Sequence, residues 1–139
     1  MTIRQLSVFI ENKLGRINEV TKILAANNIN MTAFSLAESA DFGVLRLIVS
    51  DVNKAAEVLK EARFGVSLAE VVALSLPNTP GALSKVMESI AEKGVFIEYM
   101  YAFSQGDVAN VVIRPTDISK CLEALKTCDC QVLTESSFA

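Results

Sequence analysis

The chain has 139 residues, 51% apolar and 21% charged, with 13 basic against 16 acidic side chains and a net charge of −3. This composition supports a packed core and excludes a disordered chain, and its slight acidity argues against a protein that holds nucleic acid by its phosphates. Histidine is absent, which removes Ser-His-Asp and Cys-His catalysis and every histidine-containing zinc site.

From the N-terminus, residues 3–10 alternate Leu6, Val8 and Ile10 with Gln5 and Ser7, the pattern of a half-buried strand. Asn12-Lys13-Leu14-Gly15 reads as a turn, after which Ile17, Val20 and Leu24 recur at helical spacing up to Asn27-Asn28. A second strand is expected over 29–37, a hairpin turn at Ser39–Asp41 and a third strand over 43–49. Asp51 is placed to cap a helix whose apolar face is Val52, Ala55, Ala56 and Leu59, and a short strand follows around Val66. The order then recurs: strand 70–76, turn 77–81, helix 82–93, strands 95–103 and 108–114, and a helix opened by Asp117 that shows Ile118, Cys121, Leu122 and Leu125. A last strand is expected near 130–134.

The recurrence extends to the residues themselves. Displaced by 66 positions, the chain matches itself at Asn12/Asn78, Gly15/Gly81, Val20/Val86, Ala25/Ala91, Asp41/Asp107 and Asp51/Asp117. It matches again at Lys54/Lys120, Glu57/Glu123, Leu59/Leu125, Lys60/Lys126 and Val66/Val132, without a gap. Apolar slots between these are filled in kind, as in Ile17/Leu83 and Leu47/Ile113. The sequence is therefore read as a duplication, with units at 1–68 and 69–139. Each unit has the order β-α-β-β-α-β, the ferredoxin-like α+β arrangement, with its helices on one face of an antiparallel sheet. The link at 65–70 is nearly all apolar, so the units are expected to pack rather than hang on a tether.

The turn between first strand and first helix carries the unusual chemistry. In the second unit it reads Pro77-Asn78-Thr79-Pro80-Gly81-Ala82-Leu83. Proline near the first helical position wastes no N–H, glycine admits close backbone approach, and a helix start offers donors to a carboxylate. As an isolated motif the same residues also read as ordinary helix-start punctuation.

An N-x-P-G-x-L turn in a βαββαβ unit of this length resembles the ACT-domain family, small regulatory domains of amino-acid metabolism, here in two tandem copies. That resemblance implies copies paired side by side into one eight-stranded sheet, with an amino acid bound at the seam. The turn of one copy would meet the start of the second strand of the other. The implied site joins Asn78, Thr79, Pro80, Gly81, Ala82 and Leu83 to Asn30, Met31 and Thr32. A weaker second site joins Asn12, Lys13, Leu14, Gly15, Arg16 and Ile17 to Phe96, Ile97 and Glu98, with Leu14 in place of the proline and Phe96-Ile97 in place of Asn-Ile. The function implied is a non-catalytic regulator that binds a free L-amino acid, without cofactor or metal, and signals to its own oligomer or to an enzyme of amino-acid metabolism. The alternative is a structural or adaptor subunit with vestigial sites.

Strand residues rich in apolar side chains on both faces, such as Phe9 beside Val8 and Val71 beside Val72, lead to the expectation of a homodimer with sheets face to face, or of a partner that replaces one copy. Tyr99, Tyr101 and Phe103 resemble a stacking stripe but lack basic surroundings and are read as sheet packing. Cys121, Cys128 and Cys130 form no CxxC pair and are read as small apolar side chains of a reducing compartment, against a redox pair at Cys128 and Cys130. With no run of about 18 apolar residues and no cleavable leader pattern, a cytoplasmic protein without membrane association is expected.

Overall fold

A computed structural model describes residues 1–11, 13–38 and 41–138. The chain divides into two compact units, one built on Arg4–Ala69 and the other on Glu70–Ser137 together with Met1–Ile3. The first unit comprises β1 (Ile3–Glu11), α1 (Arg16–Ala26), β2 (Met31–Glu38), β3 (Phe42–Val49), α2 (Val52–Glu61) and the opening of β4 (Gly65–Pro77). The second takes the rest of β4, then α3 (Ala82–Glu92), β5 (Ile97–Gln105), β6 (Val108–Pro115), α4 (Ile118–Leu125) and β7 (Gln131–Val132), before a 3-10 turn at Glu135–Phe138.

Within the first unit the strand order is β2-β3-β1-β4, with β1 and β3 antiparallel through Leu6↔Leu47 and Val8↔Leu45. In the second, β4 lies between β7 and β6, and β5 pairs β6 on its far side. Every registered pairing is antiparallel, so the βαββαβ reading holds in both copies. The described residues form seven strands, however, and not the eight expected. The apolar stretch 65–70 is no linker. It is the first six residues of the 13-residue β4, which closes the first unit and opens the second without a break.

The alternation of each strand sets the core. Leu6, Val8, Ile10, Leu45, Leu47 and Val49 face Val20 and Leu24 of α1 and Val52, Ala55, Ala56 and Leu59 of α2. The second core repeats this with Val72, Leu74, Leu76, Val111 and Ile113 against Val86, Ile90, Cys121, Ala124 and Leu125. Ile17, expected on the buried face of α1, is instead 41% exposed at the helix start. On the opposite sheet face Gln5, Ser7 and Ile48 are buried in the first unit and Val71, Ala73 and Val112 in the second, whereas Phe9 is 47% exposed.

Candidate functional site

The turn before α3 is fixed by its own sequence. Ala82 N–H donates to Thr79 C=O at 3.2 Å, and Gly81 sits at φ 87°, ψ −13°. A four-residue turn with proline second and a left-handed glycine third is type II, where only glycine is free of a side-chain clash. Pro80 therefore belongs to the turn ahead of the helix, not to its first helical turn. The first unit builds the same turn: Arg16 N–H donates to Lys13 C=O at 3.3 Å, with Gly15 at φ 85°, ψ −5°. Leu14 takes the proline's place and is fully exposed. Replacing the proline thus leaves the turn type unchanged.

These two glycines are also the N-caps of α1 and α3, and neither helix start has a side-chain cap among the described residues. The other two helices are closed. Asp51 accepts from Lys54 N–H at 3.1 Å and Asp117 from Lys120 N–H at 3.0 Å, as the sequence led one to expect. The chain thus caps α2 and α4 with carboxylates, whereas α1 and α3 begin without one.

Asn78 is partly committed to the fold. Its backbone N–H donates to Asp107 C=O at 2.8 Å, and its side-chain Nδ2 donates to Gly106 C=O at 3.4 Å, tying the turn to the β5–β6 hairpin. Asn12, its counterpart, lies outside the described residues, as do the first two positions of the expected turn at Ser39–Asp41. In the first unit Asn30 stands exposed just before β2, held by Ser50, whose Oγ accepts from Asn30 N–H at 2.9 Å. Phe96 stands in the same way before β5, with its N–H donating to Thr116 Oγ1 at 3.0 Å. The hydroxyls of Ser50 and Thr116 went unnoticed in the sequence, although their positions correspond. Met31 and Ile97 point back into their cores, whereas Phe96 is 77% exposed.

A cleft of about 240 Å³ opens beside the second turn. Its walls are Thr79, Pro80, Gly81 and Ala82 of the turn, Lys85, Val86 and Ser89 of α3, and Thr127, Cys128 and Asp129 after α4. Lys85 and Asp129 carry opposite charges, and neither forms an ion pair among the described residues. In the first unit the residue corresponding to Ala82 is Arg16. Its guanidinium lies over the Phe64 ring, 4.5 Å from Cζ to centroid, and Nη1 meets Glu19 Oε2 at 2.7 Å. The sequence drew attention to the turn but not to the loop 127–129, whose approach to it depends on the fold.

All three cysteines are free. Burial, with a lesser contribution from Cys130, pushes the Cys121 thiol up to about 11, and burial likewise raises Cys130. Among the described residues no group of three acidic or thiol side chains is arranged to hold a metal, and no helix is long and apolar enough to cross a membrane.

Comparison with known proteins places these features in a family. The protein BT0572 from Bacteroides thetaiotaomicron, known from its crystal structure, is 53% identical over 95% of this chain and 93% of its own, with a TM-score of 0.90. The regulatory subunit of aspartate kinase from Thermus thermophilus shares the fold at 17% identity, TM-score 0.64, over 90% of this chain and 91% of that one. That from Thermus flavus does so at 17% identity and TM-score 0.61, over 88% and 90%. No curated protein gives a significant match. The family model described as the ACT domain pair matches residues 1–139, and the chain belongs to that family.

Proposed function

We propose that this protein is a non-catalytic regulator that binds a free L-amino acid and passes that binding to its own assembly or to an enzyme of amino-acid metabolism. The observation that carries the reading is the contrast between helix starts. Two are closed by aspartates, and two begin at left-handed glycines with no side-chain cap among the described residues. Uncapped N–H groups and the positive end of the helix dipole favour a carboxylate, the group common to all amino acids. Membership of a family of paired ACT domains supports it. Regulation then requires only that the ligand bind one state of the assembly better than another.

Thermal unfolding in the presence of each of the twenty L-amino acids tests this. Ligand at 100 times its Kd stabilises by about 2.7 kcal/mol, an easily measured shift. If the melting temperature is unmoved by all twenty at millimolar concentration, the regulator is not an amino-acid sensor.

A further inference from the structure

The first unit ends its sheet on β2, whose outer edge pairs with no strand among the described residues. Phe34 and Leu36 stand opposite Leu47 and Leu45 of β3, so they lie on the helix side of the sheet with that core. They are nonetheless left out of it, Phe34 being 59% and Leu36 53% exposed. From α1 comes Ile17, itself exposed, which with Leu36, Ile10 and Gly43 lines a hollow of about 110 Å³. Leu36 is seated over Gly43, where a Cβ would lie 3.2 Å from its Cδ1. The strand also lacks the usual guards of a sheet edge. It has no proline and no lysine, its one charged residue, Glu38, is the last, and Ala33–Glu38 runs in unbroken register. The matching strand of the second unit is built differently. There Met100 stands for Phe34 and Ala102 for Leu36, and the irregular place near the strand start holds Glu98 where β2 has Thr32.

From this we infer that β2 is a docking edge for the β2 of a second copy of this chain, joined antiparallel about a two-fold axis through Ser35, and that β5 is not used in this way. In that register Phe34 meets Leu36 of the second copy and Leu36 meets its Phe34, so both apolar residues are covered. Ala33 meets Ala37, and Glu38 meets Thr32, so no like charges are opposed. A parallel pairing would instead set Glu38 beside Glu38. A contact of this isologous kind closes at two copies, whereas a further contact through β5 would propagate into a filament. Glu98 and the small Ala102 oppose that growth. The extent of the strip sets its strength. The eight residues of β2 span about 27 Å. The strand edge with the flank of one helix about 10 Å thick then gives roughly 400 Å² per partner, half the standard interface. Such a dimer dissociates on dilution, and it forms whether or not an amino acid is bound.

Sedimentation velocity of the full chain from about 1 to about 500 µM, the range that so small a contact allows, tests it. The wild type should pass from monomer to dimer with concentration and stop there. Phe34→Lys and Leu36→Lys should each hold the chain monomeric throughout, while Met100→Lys should dimerise as the wild type does. Circular dichroism reports whether each variant folds. Should the two β2 variants not fold, Ser35→Cys decides, because cysteines facing each other across the axis are joined by oxidised glutathione. That variant should give a covalent dimer on a non-reducing gel, and the wild type, with its three native cysteines, should not. A wild type that stays monomeric at the highest concentration overturns the inference and leaves the strip to a different chain. A dimer that survives both β2 substitutions, or is lost in Met100→Lys, overturns it as well, as does Ser35→Cys without a cross-link.

Discussion

The Arg16 guanidinium rests 4.5 Å above the Phe64 ring centroid, and the residues at the corresponding places in the second copy are Ala82 and Cys130. One copy therefore holds its helix start against the loop after its second helix with a cation on an aromatic face. The other has no such pair, and Ala82 and Cys130 pack against its core instead. Removing the contact should cost stability, since a partly desolvated cation–π pair contributes about 1–2 kcal/mol. Arg16→Ala is expected to lower the urea midpoint by an amount in that range, and Arg16→Lys by less. No loss in Arg16→Ala would mean that the arginine only lies along the surface.

The two glycine caps give a second expectation. Gly15 and Gly81 have positive φ, and a Cβ at either meets nothing within 4 Å. Space is therefore no obstacle, and the cost is purely conformational. Gly15→Ala and Gly81→Ala should each destabilise by about 1–2 kcal/mol, while asparagine, which enters the left-handed region more readily, should cost less. Chemical denaturation of the four variants checks this, and an alanine variant as stable as wild type would contradict the turn type.

The aspartate caps behave in the opposite sense. Asp51 and Asp117 each satisfy a helix-start N–H at about 3 Å, so Asp51→Ala and Asp117→Ala should each cost about 1 kcal/mol. Neither residue is near the open turns in sequence, and neither substitution is expected to alter amino-acid affinity.

Cys121 sets an alkaline limit. Burial raises its thiol from 9.0 to about 11, so the fold favours the protonated form. For a group whose folded value lies above its unfolded one, the stabilisation is whole below the unfolded value and lost as pH rises through the folded value. The melting temperature should therefore fall between about pH 9 and 11, and fall less steeply over that window in Cys121→Ala. Parallel curves for the two proteins would show that other groups cause the loss.

Much of the fold was legible from period and repetition. The face Val52, Ala55, Ala56 and Leu59 is buried as read, and the 66-residue displacement places both glycine caps and both aspartate caps at matching positions. The strand count was not legible, because an apolar stretch such as 65–70 looks alike whether it links two strands or continues one. In the turn, Asn-Thr-Pro-Gly announces a helix start, but a proline one residue before the cap and one inside the helix give nearly the same string. What set the two copies apart was out of reach. Arg16 and Phe64 are 48 positions apart, and their contact exists only once α2 brings its end beside the α1 start. The Ser50 and Thr116 hydroxyls were missed for the same reason, each receiving an N–H from a residue 20 positions earlier.

The central claim is that an amino acid is recognised through its α-carboxylate. Titration of the wild-type chain with the L-amino acid that stabilises it, and with the carboxamide of the same compound, measures this directly. The account predicts saturable binding of the acid and a loss of at least about ten-fold for the amide, which lacks the charge that an uncapped helix start attracts. Equal affinity for acid and amide, or no binding by any of the twenty, would contradict it.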